Sequence, residues 1–285
     1  MAGSGGGSVT RLMIFGQGFT ASAFRARRGG AIDATRRVAD GEARLGFDGT
    51  NASPAVREAL MQADELLVSI PPQGEIDPVL THFGRELAAR PRKIVYLSTI
   101  GVYGNHDGNW IDESAELRAS NARTRVRVSV EHGWRALAGT GSTVSILRLS
   151  GIYGPGRSAL DAIRAGTARR IIKAGQVFNR IHVDDIALAI EAALARPGGL
   201  GTVNVTDDEP APPQDIIVFA AGLLGVPPPP EQAFAGAPLS DMARSFYGEN
   251  KRVSNRKLRE DFGVNLRFPS YREGLRSLAS ALSMD

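Results

Sequence analysis

Three small residues near the N-terminus have the types and the spacing that bind a diphosphate. Gly16, Gly18 and Ala21 give the pattern G-x-G-x-x-A directly after an apolar run. In this pattern the first glycine permits a tight turn, the second lets a pyrophosphate approach the backbone, and the small third residue lets a helix pack closely on a strand. The spacing predicts a dinucleotide at the helix N-terminus, beside Phe19 and Thr20. The alternative is a plain strand–helix turn.

Two arginines after the next predicted strand bear on which dinucleotide binds. Arg36 lies twenty residues after Gly16. An NAD site usually has an acidic residue near here for the ribose 2′-hydroxyl, whereas an NADP site offers arginine to the 2′-phosphate. The guanidinium groups of Arg36 and Arg37 fit a phosphate in a bidentate way, and Thr35 offers a hydroxyl donor. Asp33 would favour NAD if the strand ended earlier. We therefore expect NADP as the cofactor, with NAD as the second choice.

The composition is that of an ordinary globular protein and excludes several functions. The 285 residues are 42% hydrophobic and 22% charged, and none is cysteine, which excludes disulfides, thiol catalysis and cysteine-bound metals. Lys and Arg exceed Asp and Glu by only 34 to 30 and form no basic stripe with interleaved aromatics, so we expect no nucleic-acid partner. No apolar run is long enough to span a bilayer. We interpret residues 1–10 as a flexible leader and not a signal peptide, and expect a cytoplasmic protein.

Strands and helices alternate along the N-terminal half, as in an open α/β sheet. Strands are predicted over 31–34, 45–48, 64–70 and 93–97, and helices over 54–62 and 76–90. Ligands of such sheets bind beyond the carboxyl ends of the strands, so Ser69, Ile70 and Pro71 should border the cofactor. Asp48, at the end of its strand, either reaches the adenine or belongs to a surface turn.

Four segments, in the correct order, resemble one enzyme family. They are 98–104 (STIGVYG), 147–156 (LRLSGIYGPG), 180–185 (RIHVDD) and the tail 254–275. Together they resemble the extended short-chain dehydrogenase/reductase family, the nucleotide-sugar epimerases and dehydratases, over most of residues 11–278. The resemblance implies a doubly wound α/β fold with a parallel sheet. Residues 11–165 would form its Rossmann cofactor domain, with strands added from later residues, and residues 166–285 a smaller α+β substrate lobe.

One departure from that family concerns its catalytic pair. Members usually carry Tyr-x-x-x-Lys on the helix before the sixth strand, with a glutamate four residues past the lysine. Glu131 occupies the glutamate position, which places Arg127 at the lysine position and Arg123 at the tyrosine position. Arginine cannot replace the tyrosine as a base, because a guanidinium does not deprotonate at working pH. Arg127 can still donate to the nicotinamide ribose, and Arg123, one helical turn away, adds a second cation.

This replacement leaves two interpretations of the function open. In the first, the protein is an atypical oxidoreductase or an epimerase/dehydratase-type enzyme, and Arg123 holds an anionic group of a small substrate. In the second, catalysis is lost and the protein is an NADP-binding sensor, as in atypical members with an S-x-P-P turn, here 69–72. We favour the enzyme, because the acid–base side chains near the reactive end would be needless for cofactor binding alone.

The resemblance also implies roles for the remaining candidates. The catalytic set is Thr99, Arg123 and Arg127, with Tyr153, His182 or a water as further proton carriers. The cofactor set adds Ser98, Arg127 and Gly151, and the substrate set is Tyr103, Tyr153, Arg157, Arg180 and His182. Among these, Arg157, Arg180 and Arg123 are expected to converge on one pocket.

Three of these candidates also have a plainer interpretation. In that interpretation Thr99 only bonds to backbone, Tyr153 only packs its turn, and His182 is a structural histidine, the commoner case for a histidine between apolar residues. No metal is expected, since Asp184 and Asp185 fit the first turn of a helix. The expected partner is a small-molecule substrate, for a monomer or homodimer with no membrane contact.

The C-terminal part is less regular. Short strands are predicted over 170–173 and 201–205, helices over 184–195 and 213–224, a stiff proline linker over 227–230 and a mobile segment or lid over 233–249. Because this lobe varies among family members, the resemblance implies no particular substrate.

Overall fold

A computed structural model describes residues 10–40 and 45–283. Its strands are β1 (Arg11–Phe15), β2 (Ala31–Arg36), β3 (Leu45–Gly46), β4 (Glu65–Val68), β5 (Lys93–Thr99), β6 (Trp110–Ile111), β7 (Thr143–Leu149), β8 (Gly151–Tyr153), β9 (Arg170–Ile172), β10 (Arg180–His182), β11 (Thr202–Val205), β12 (Glu231–Ala233) and β13 (Arg252–Val253).

The helices connect these strands. They are α1 (Phe19–Arg27), α2 (Pro54–Gln62), α3 (Pro78–Ala88), α4 (Ala122–Ala136), α5 (Ala159–Arg164), α6 (Val183–Ala195), α7 (Pro213–Leu223), α8 (Asp241–Tyr247) and α9 (Tyr271–Leu282). Short turns of 3-10 helix cover Ile100–Tyr103, Leu137–Thr140 and Phe234–Gly236, and one π turn covers Lys257–Asp261.

Seven of the strands form one parallel sheet in the order β11-β7-β5-β4-β1-β2-β3. Strand β1 pairs with β2 from Arg11↔Ala31 to Ile14↔Ala34, and with β4 from Leu12↔Glu65 to Phe15↔Val68. All four residues of β4 are buried, as expected for a parallel strand covered on both faces. The sheet and its flanking helices confirm the predicted doubly wound α/β fold.

The chain divides into two compact units, each discontinuous in sequence. The first unit contains residues 1–97, 129–146 and 190–201, and the second contains residues 98–128, 147–189 and 202–285. The predicted division into 11–165 and 166–285 stays a prediction. The predicted leader falls almost wholly on residues 1–9, which lie outside the described residues.

Aromatic packing and one capping carboxylate organise the first unit. The rings of Phe15, Phe47 and Phe83 meet with centroids 5.2–6.1 Å apart. Asp77 accepts two backbone N–H bonds at the start of α3 and a third bond, of 3.2 Å, from the indole of Trp134. Because a buried carboxylate needs such partners, this cap also anchors α4.

The second unit has an apolar cluster made by three helices. Leu160 of α5, Ile216 and Ala220 of α7, and Tyr271 and Leu275 of α9 are its buried members. These side chains bring together segments that are far apart in the sequence. The cluster therefore depends on tertiary structure and not on any local pattern.

The boundaries of the elements differ from the predictions in ways that matter for the site. Strand β2 continues to Arg36, so Asp33 lies within the strand and not at its end. Strand β3 stops at Gly46 and leaves Asp48 in a turn. The predicted C-terminal strands and helices are present as β9, β11, α6 and α7. Within 10–40 and 45–283, no helix is long and apolar enough to cross a membrane.

Candidate functional site

The first glycine of the loop is required by the fold itself. Gly16 ends β1 with φ +87°, a conformation that side chains with a Cβ rarely adopt. A Cβ at this position would also lie 2.6 Å from Cγ1 of Ile70. The loop and the residue after β4 therefore pack together only because residue 16 has no side chain.

The second glycine is in a different situation. Gly18 is the N-cap of α1 with φ −95°, a value open to most residues, and α1 has no side-chain cap. A Cβ at Gly18 would meet no described atom within 4 Å. The described part of the chain thus gives no packing reason for this glycine. The space it leaves lies at a helix N-terminus, where anions are favoured.

The end of β2 holds the loop in place. Thr35 accepts a hydrogen bond of 3.0 Å from the backbone N–H of Gly16 at its hydroxyl, and one of 2.8 Å from the N–H of Gln17 at its carbonyl. Its side chain is fully buried. The expected contact of this hydroxyl with a 2′-phosphate is therefore corrected: Thr35 braces the loop from below.

Arg36 extends this brace and keeps its charged end near the surface. Its Nε donates to the carbonyl of Gln17 at 3.2 Å, and its Nη1 pairs with Asp40. Arg25 of α1 bonds the side chain of the same Gln17. Arg37, next in the chain, is exposed. The guanidinium of Arg36, at the end of β2, therefore lies beside the loop.

In the turn after β3, hydrogen bonds from the turn itself occupy the carboxylate of Asp48, one of the expected cofactor residues. Oδ1 of Asp48 accepts the backbone N–H groups of Thr50 and Asn51, and Oδ2 accepts the side-chain amide of Asn51. The N–H of Asn51, and next that of Thr50, lower the pKa of Asp48 to about 2. Gln73 donates to the Asp48 carbonyl at 3.1 Å. The surface-turn alternative therefore describes Asp48.

Thr99 ends β5 and caps the turn that follows. Its hydroxyl accepts the N–H of Gly101 at 3.1 Å, and the side chain stays half-buried. This is the plainer interpretation of Thr99, although the hydroxyl keeps its own proton for donation. Ser98, one residue earlier, is buried at 5% exposure. Gly151 donates its N–H to the carbonyl of Asn179.

The two arginines of α4 lie one helical turn apart. Arg123 is exposed, and its guanidinium carbon lies 5.4 Å from the ring centre of Phe246 in α8. Arg127 is half-buried. The sequence thus placed two cations on one helix face, and the structure adds an aromatic neighbour to Arg123.

Tyr103 belongs to a buried hydrogen-bond network. Its hydroxyl donates to Oδ1 of Asn204 at 2.7 Å and accepts from Nη1 of Arg148 at 2.9 Å. The side chain has no exposed surface, and burial raises its pKa. The expected substrate contact of Tyr103 is therefore corrected, because both its ring and its hydroxyl are taken up by the protein.

Three predicted substrate residues do converge. Tyr153, Arg157 and Arg180 line one pocket of about 520 Å³ in the second unit. Arg123 is not among the lining residues, so the expected three-arginine cluster is wrong in one member. The remaining wall comes from α5, α7 and α9: Ala159, Ala162, Ile216, Tyr271 and Leu275 are among its residues. We call this the α5–α7–α9 pocket.

His182 does not line the pocket itself but packs against Tyr153, which does. It is 2% exposed, and its Nδ1 accepts the N–H of Asp184 at 3.2 Å. Its ring lies 5.1 Å from the ring of Tyr153, edge to face, and 4.2 Å from that of Phe268. Burial lowers its pKa to about 4, so the ring is neutral near pH 7. This is the structural-histidine interpretation.

Some residues of this region were given no site role from the sequence. Tyr271, Gly274 and Leu275 belong to the tail segment that carried the family resemblance, whereas Ile216 lies in a helix without a local signature. Gly274 does not line the pocket, but a Cβ there would lie 2.1 Å from Oη of Tyr153. No cluster of three or more His, Asp or Glu suited to a metal occurs within the described residues.

The sheet and the glycine loop define a class: this is a Rossmann-type nucleotide-binding α/β protein. A family model described as the NAD dependent epimerase/dehydratase family matches residues 79–205. This match and the shared fold support an atypical short-chain dehydrogenase/reductase family for the chain.

Known proteins resemble the chain to different degrees. A functionally unknown conserved protein from Silicibacter pomeroyi is 43% identical, with a TM-score of 0.84, over 96% of this chain and 99% of that one. Protein YeeZ of Escherichia coli K12 is 31% identical over 60% of this chain, which spans 63% of YeeZ. Human epimerase family protein SDR39U1 with NADPH is 18% identical, with a TM-score of 0.72, over 95% of this chain and 99% of that one. At that identity the last likeness concerns the fold alone.

Proposed function

We propose that the chain binds a pyridine dinucleotide, with NADP preferred, and acts on a small substrate as an oxidoreductase or an epimerase/dehydratase-type enzyme. The observation that carries the proposal is the contrast between two glycines. Gly16 is explained by its φ angle and by Ile70, whereas Gly18 is explained by neither. A bare backbone at the N-terminus of α1 suits a pyrophosphate.

Preference for NADP rests on the end of β2. Because the strand continues to Arg36, the side chain that would meet the adenosine end is a guanidinium, with exposed Arg37 beside it, and not the carboxylate of Asp33. A guanidinium complements a dianionic 2′-phosphate better than a neutral hydroxyl. Proteins of the same fold were solved with NADPH and with NAD, so the preference rests on these arginines alone.

The family resemblance implies which residues would act at the reactive end. When bound, the nicotinamide would supply or accept a hydride. Arg127 would donate to the ribose hydroxyls, and Arg123 would hold an anionic group of the substrate. Since burial lowers the pKa of His182 to about 4 and raises that of Tyr153, neither suits a general base near pH 7. The proton carrier would then be a water, and the hydroxyl of Thr99 would orient it or the substrate through a hydrogen bond.

Calorimetry with NADPH and NADH tests the binding step. The wild type should bind both nucleotides, and NADPH more tightly. Gly18→Ala should weaken both about tenfold or more, because the new methyl group occupies the space proposed for the pyrophosphate. Gly29→Ala is the matched control, since a Cβ there also meets no described atom within 4 Å. Failure of the wild type to bind either nucleotide would overturn the proposal.

Turnover tests the chemical step. NADPH oxidation should be measured against a panel of aldehydes and ketones, with wild type and Arg127→Gln. Loss of Arg127 should lower kcat for any active carbonyl, because the ribose would lose a donor at the reactive end. Nucleotide binding without turnover of any carbonyl or nucleotide sugar would favour the sensor interpretation instead.

A further inference from the structure

The α5–α7–α9 pocket combines two features that few surface depressions share. Its size, about 520 Å³, lies in the range of small-molecule sites, and it opens to solvent on one side. One part of its wall carries guanidinium groups, and another part is apolar. The chemistry of the wall therefore restricts what can fill it.

The charged part centres on Arg180. This side chain is half-buried, and its Nη1 donates to the carbonyls of Phe178 at 2.9 Å and Ala211 at 3.3 Å. These bonds fix the guanidinium without neutralising it, since carbonyls carry no net charge. Asp207, which is not among the lining residues, is the acid whose charge favours the guanidinium most, and burial raises the pKa of its carboxyl well above the usual range.

A second guanidinium and one acid belong to the same wall. Arg157, which is exposed, follows the turn after β8. Asp161 also lines the pocket, and its carboxylate accepts the hydroxyl of Ser158 at 2.6 Å, which in turn caps α5. The lining thus carries two arginines and one acid, and an anionic group of a ligand would complement the guanidinium of Arg180.

The apolar part is made by the three helices. Ala159 and Ala162 lie on one side of α5, Ile216 comes from α7 and Leu275 from α9. The small alanines leave the space, and the larger side chains provide apolar surface. Burial of hydrocarbon against such a wall is favourable in proportion to the area covered.

Tyr153 separates these two parts and is held in place. Its ring meets His182 edge to face at 5.1 Å, its hydroxyl lies 3.4 Å from the carbonyl of Ser270, and Gly274 leaves the room that the hydroxyl occupies. A side chain fixed on three sides gives the pocket a defined shape in the free protein, which lowers the entropic cost of binding.

We propose that the α5–α7–α9 pocket binds an organic monoanion with an apolar body, such as a medium-length or aromatic carboxylate. Its acid group would lie at Arg180 and Arg157, and its body against Ala162, Ile216 and Leu275. A nucleoside diphosphate fits this wall poorly, because its several charges and polar base would face hydrocarbon. That the anion is the substrate rests on the proposed function; that it binds does not.

Displacement of a fluorescent probe tests the site without any nucleotide. The full chain is loaded with 1-anilinonaphthalene-8-sulfonate, itself an apolar organic anion, and titrated with octanoate, n-octanol or inorganic phosphate. Octanoate should displace the probe at concentrations about tenfold or more below those of n-octanol and phosphate, because only octanoate satisfies both parts of the wall. Equal displacement by n-octanol, or by phosphate, would overturn the proposal.

Variants place the binding in this pocket. Arg180→Gln should weaken octanoate about tenfold, and Arg157→Gln less, since its exposed charge is screened by solvent. Ala162→Phe should abolish displacement by filling the space. Arg164→Gln, on the exposed side of α5 and outside the lining, is the matched control and should change nothing. If Arg180→Gln unfolds, Arg157→Gln and Ala162→Phe decide the question, and unchanged octanoate binding in both would overturn it.

The failure of this inference and that of the proposed function have different signatures. If octanoate binds but calorimetry detects no binding of NADPH or NADH, the pocket inference is supported and the proposed enzyme function is overturned. If a nucleotide binds but octanoate does not, the proposed function is supported and the pocket inference is overturned. A third result would link the pocket to the proposed enzyme activity. In it, NADPH reduces octanoate analogues that carry a carbonyl, and Arg157→Gln raises KM for them without changing kcat.

Discussion

The glycine loop of the first unit and the α5–α7–α9 pocket of the second are proposed here as two different kinds of anion site. Around Gly18 the proposed donors are backbone N–H groups at a helix N-terminus, and selectivity comes from the absence of a side chain. In the pocket the proposed donors are the side chains of Arg157 and Arg180, set in an apolar wall. Backbone donors suit a diphosphate that many proteins share, whereas side-chain donors can change with the substrate.

Each region also depends on a glycine, for different reasons. Gly16 needs its positive φ and the space next to Ile70. Gly274 sits in a regular helix, and only Oη of Tyr153, 2.1 Å from the place of its Cβ, explains it. The first glycine is fixed by backbone conformation and packing together, and the second by packing alone.

The largest effect should separate the two glycines of the loop. Gly16→Ala should lower the free energy of unfolding by about 2–4 kcal/mol, from the positive φ and the contact with Ile70. Gly18→Ala should change it by less than about 0.5 kcal/mol while weakening the nucleotide. Urea unfolding of both variants provides the measurement. Similar losses of stability in Gly16→Ala and Gly18→Ala would show that the fold requires both glycines.

The free energy of unfolding should decrease at acid pH because of His182. Because burial lowers its folded-state pKa from 6.5 to about 4, the unfolded chain binds more protons between these values, and stability is lost as the pH falls. The lowered pKa of His182 contributes about 1–3 kcal/mol to the unfolding free energy at pH 7. The difference in unfolding free energy between wild type and His182→Gln should therefore shrink from pH 7 to pH 4.5.

Two features of this pH test make it specific. Burial also raises the pKa of Asp185 to about 6, so the ionisation of this carboxyl destabilises the fold as the pH rises through the range in which His182 titrates. Because Asp185 is present in both wild type and His182→Gln, its effect cancels when their unfolding free energies are subtracted. His132→Gln, at an exposed histidine of α4, is the control. A pH-independent difference between wild type and His182→Gln would show that His182 does not titrate as described.

The glycine next to Tyr153 should give a smaller effect than Gly16. Gly274→Ala gains helix propensity but forces Tyr153 to move, for a net loss of about 1–2 kcal/mol. In a Tyr153→Leu background the same change should cost less, since the hydroxyl is gone, and a double-mutant cycle measures this coupling. Gly222→Ala, at a helix position with nothing within 4 Å of its Cβ, should stabilise slightly. Additive losses at residues 153 and 274 would contradict the contact.

The smallest effect concerns cofactor preference in the loop. Asp40 pairs with Arg36 and would compete with a 2′-phosphate for it. Both side chains are partly exposed, so Asp40→Asn should tighten NADPH only about two- to fivefold and leave NADH unchanged in calorimetry. Asp33→Asn, within β2, is the control. Weaker NADH binding in Asp40→Asn would instead assign Asp40 to the ribose hydroxyl.

The sequence could bring the parts of the first candidate site together because they are close in the chain. The glycine pattern, β2 and Arg36 lie within one β–α–β unit, so local spacing and the rules of parallel sheets place them together. It could not predict the partners of Thr35, or decide between the two alternatives for Asp48, because the hydrogen bonds of these residues depend on how each turn closes. Those bonds come from Gly16 to Thr35 and from Asn51 to Asp48.

The second site was predicted only in part. Family motifs located Tyr153, Arg157 and Arg180, since each lies in a recognisable segment. They misplaced Tyr103 and Arg123, whose neighbours Asn204, Arg148 and Phe246 come from distant parts of the chain. A motif fixes residue type and element, and not the side chains that pack around it.

The sequence by itself determined the α/β fold and the glycine turn between β1 and α1, because these follow from periodicity and from residue identity at short spacings. Only the tertiary structure decided the shape of the pocket, in which Tyr153 meets the carbonyl of Ser270 across 117 residues. The physical reason is that packing depends on excluded volume between segments remote in sequence, and no local pattern encodes which atoms will compete for the same space.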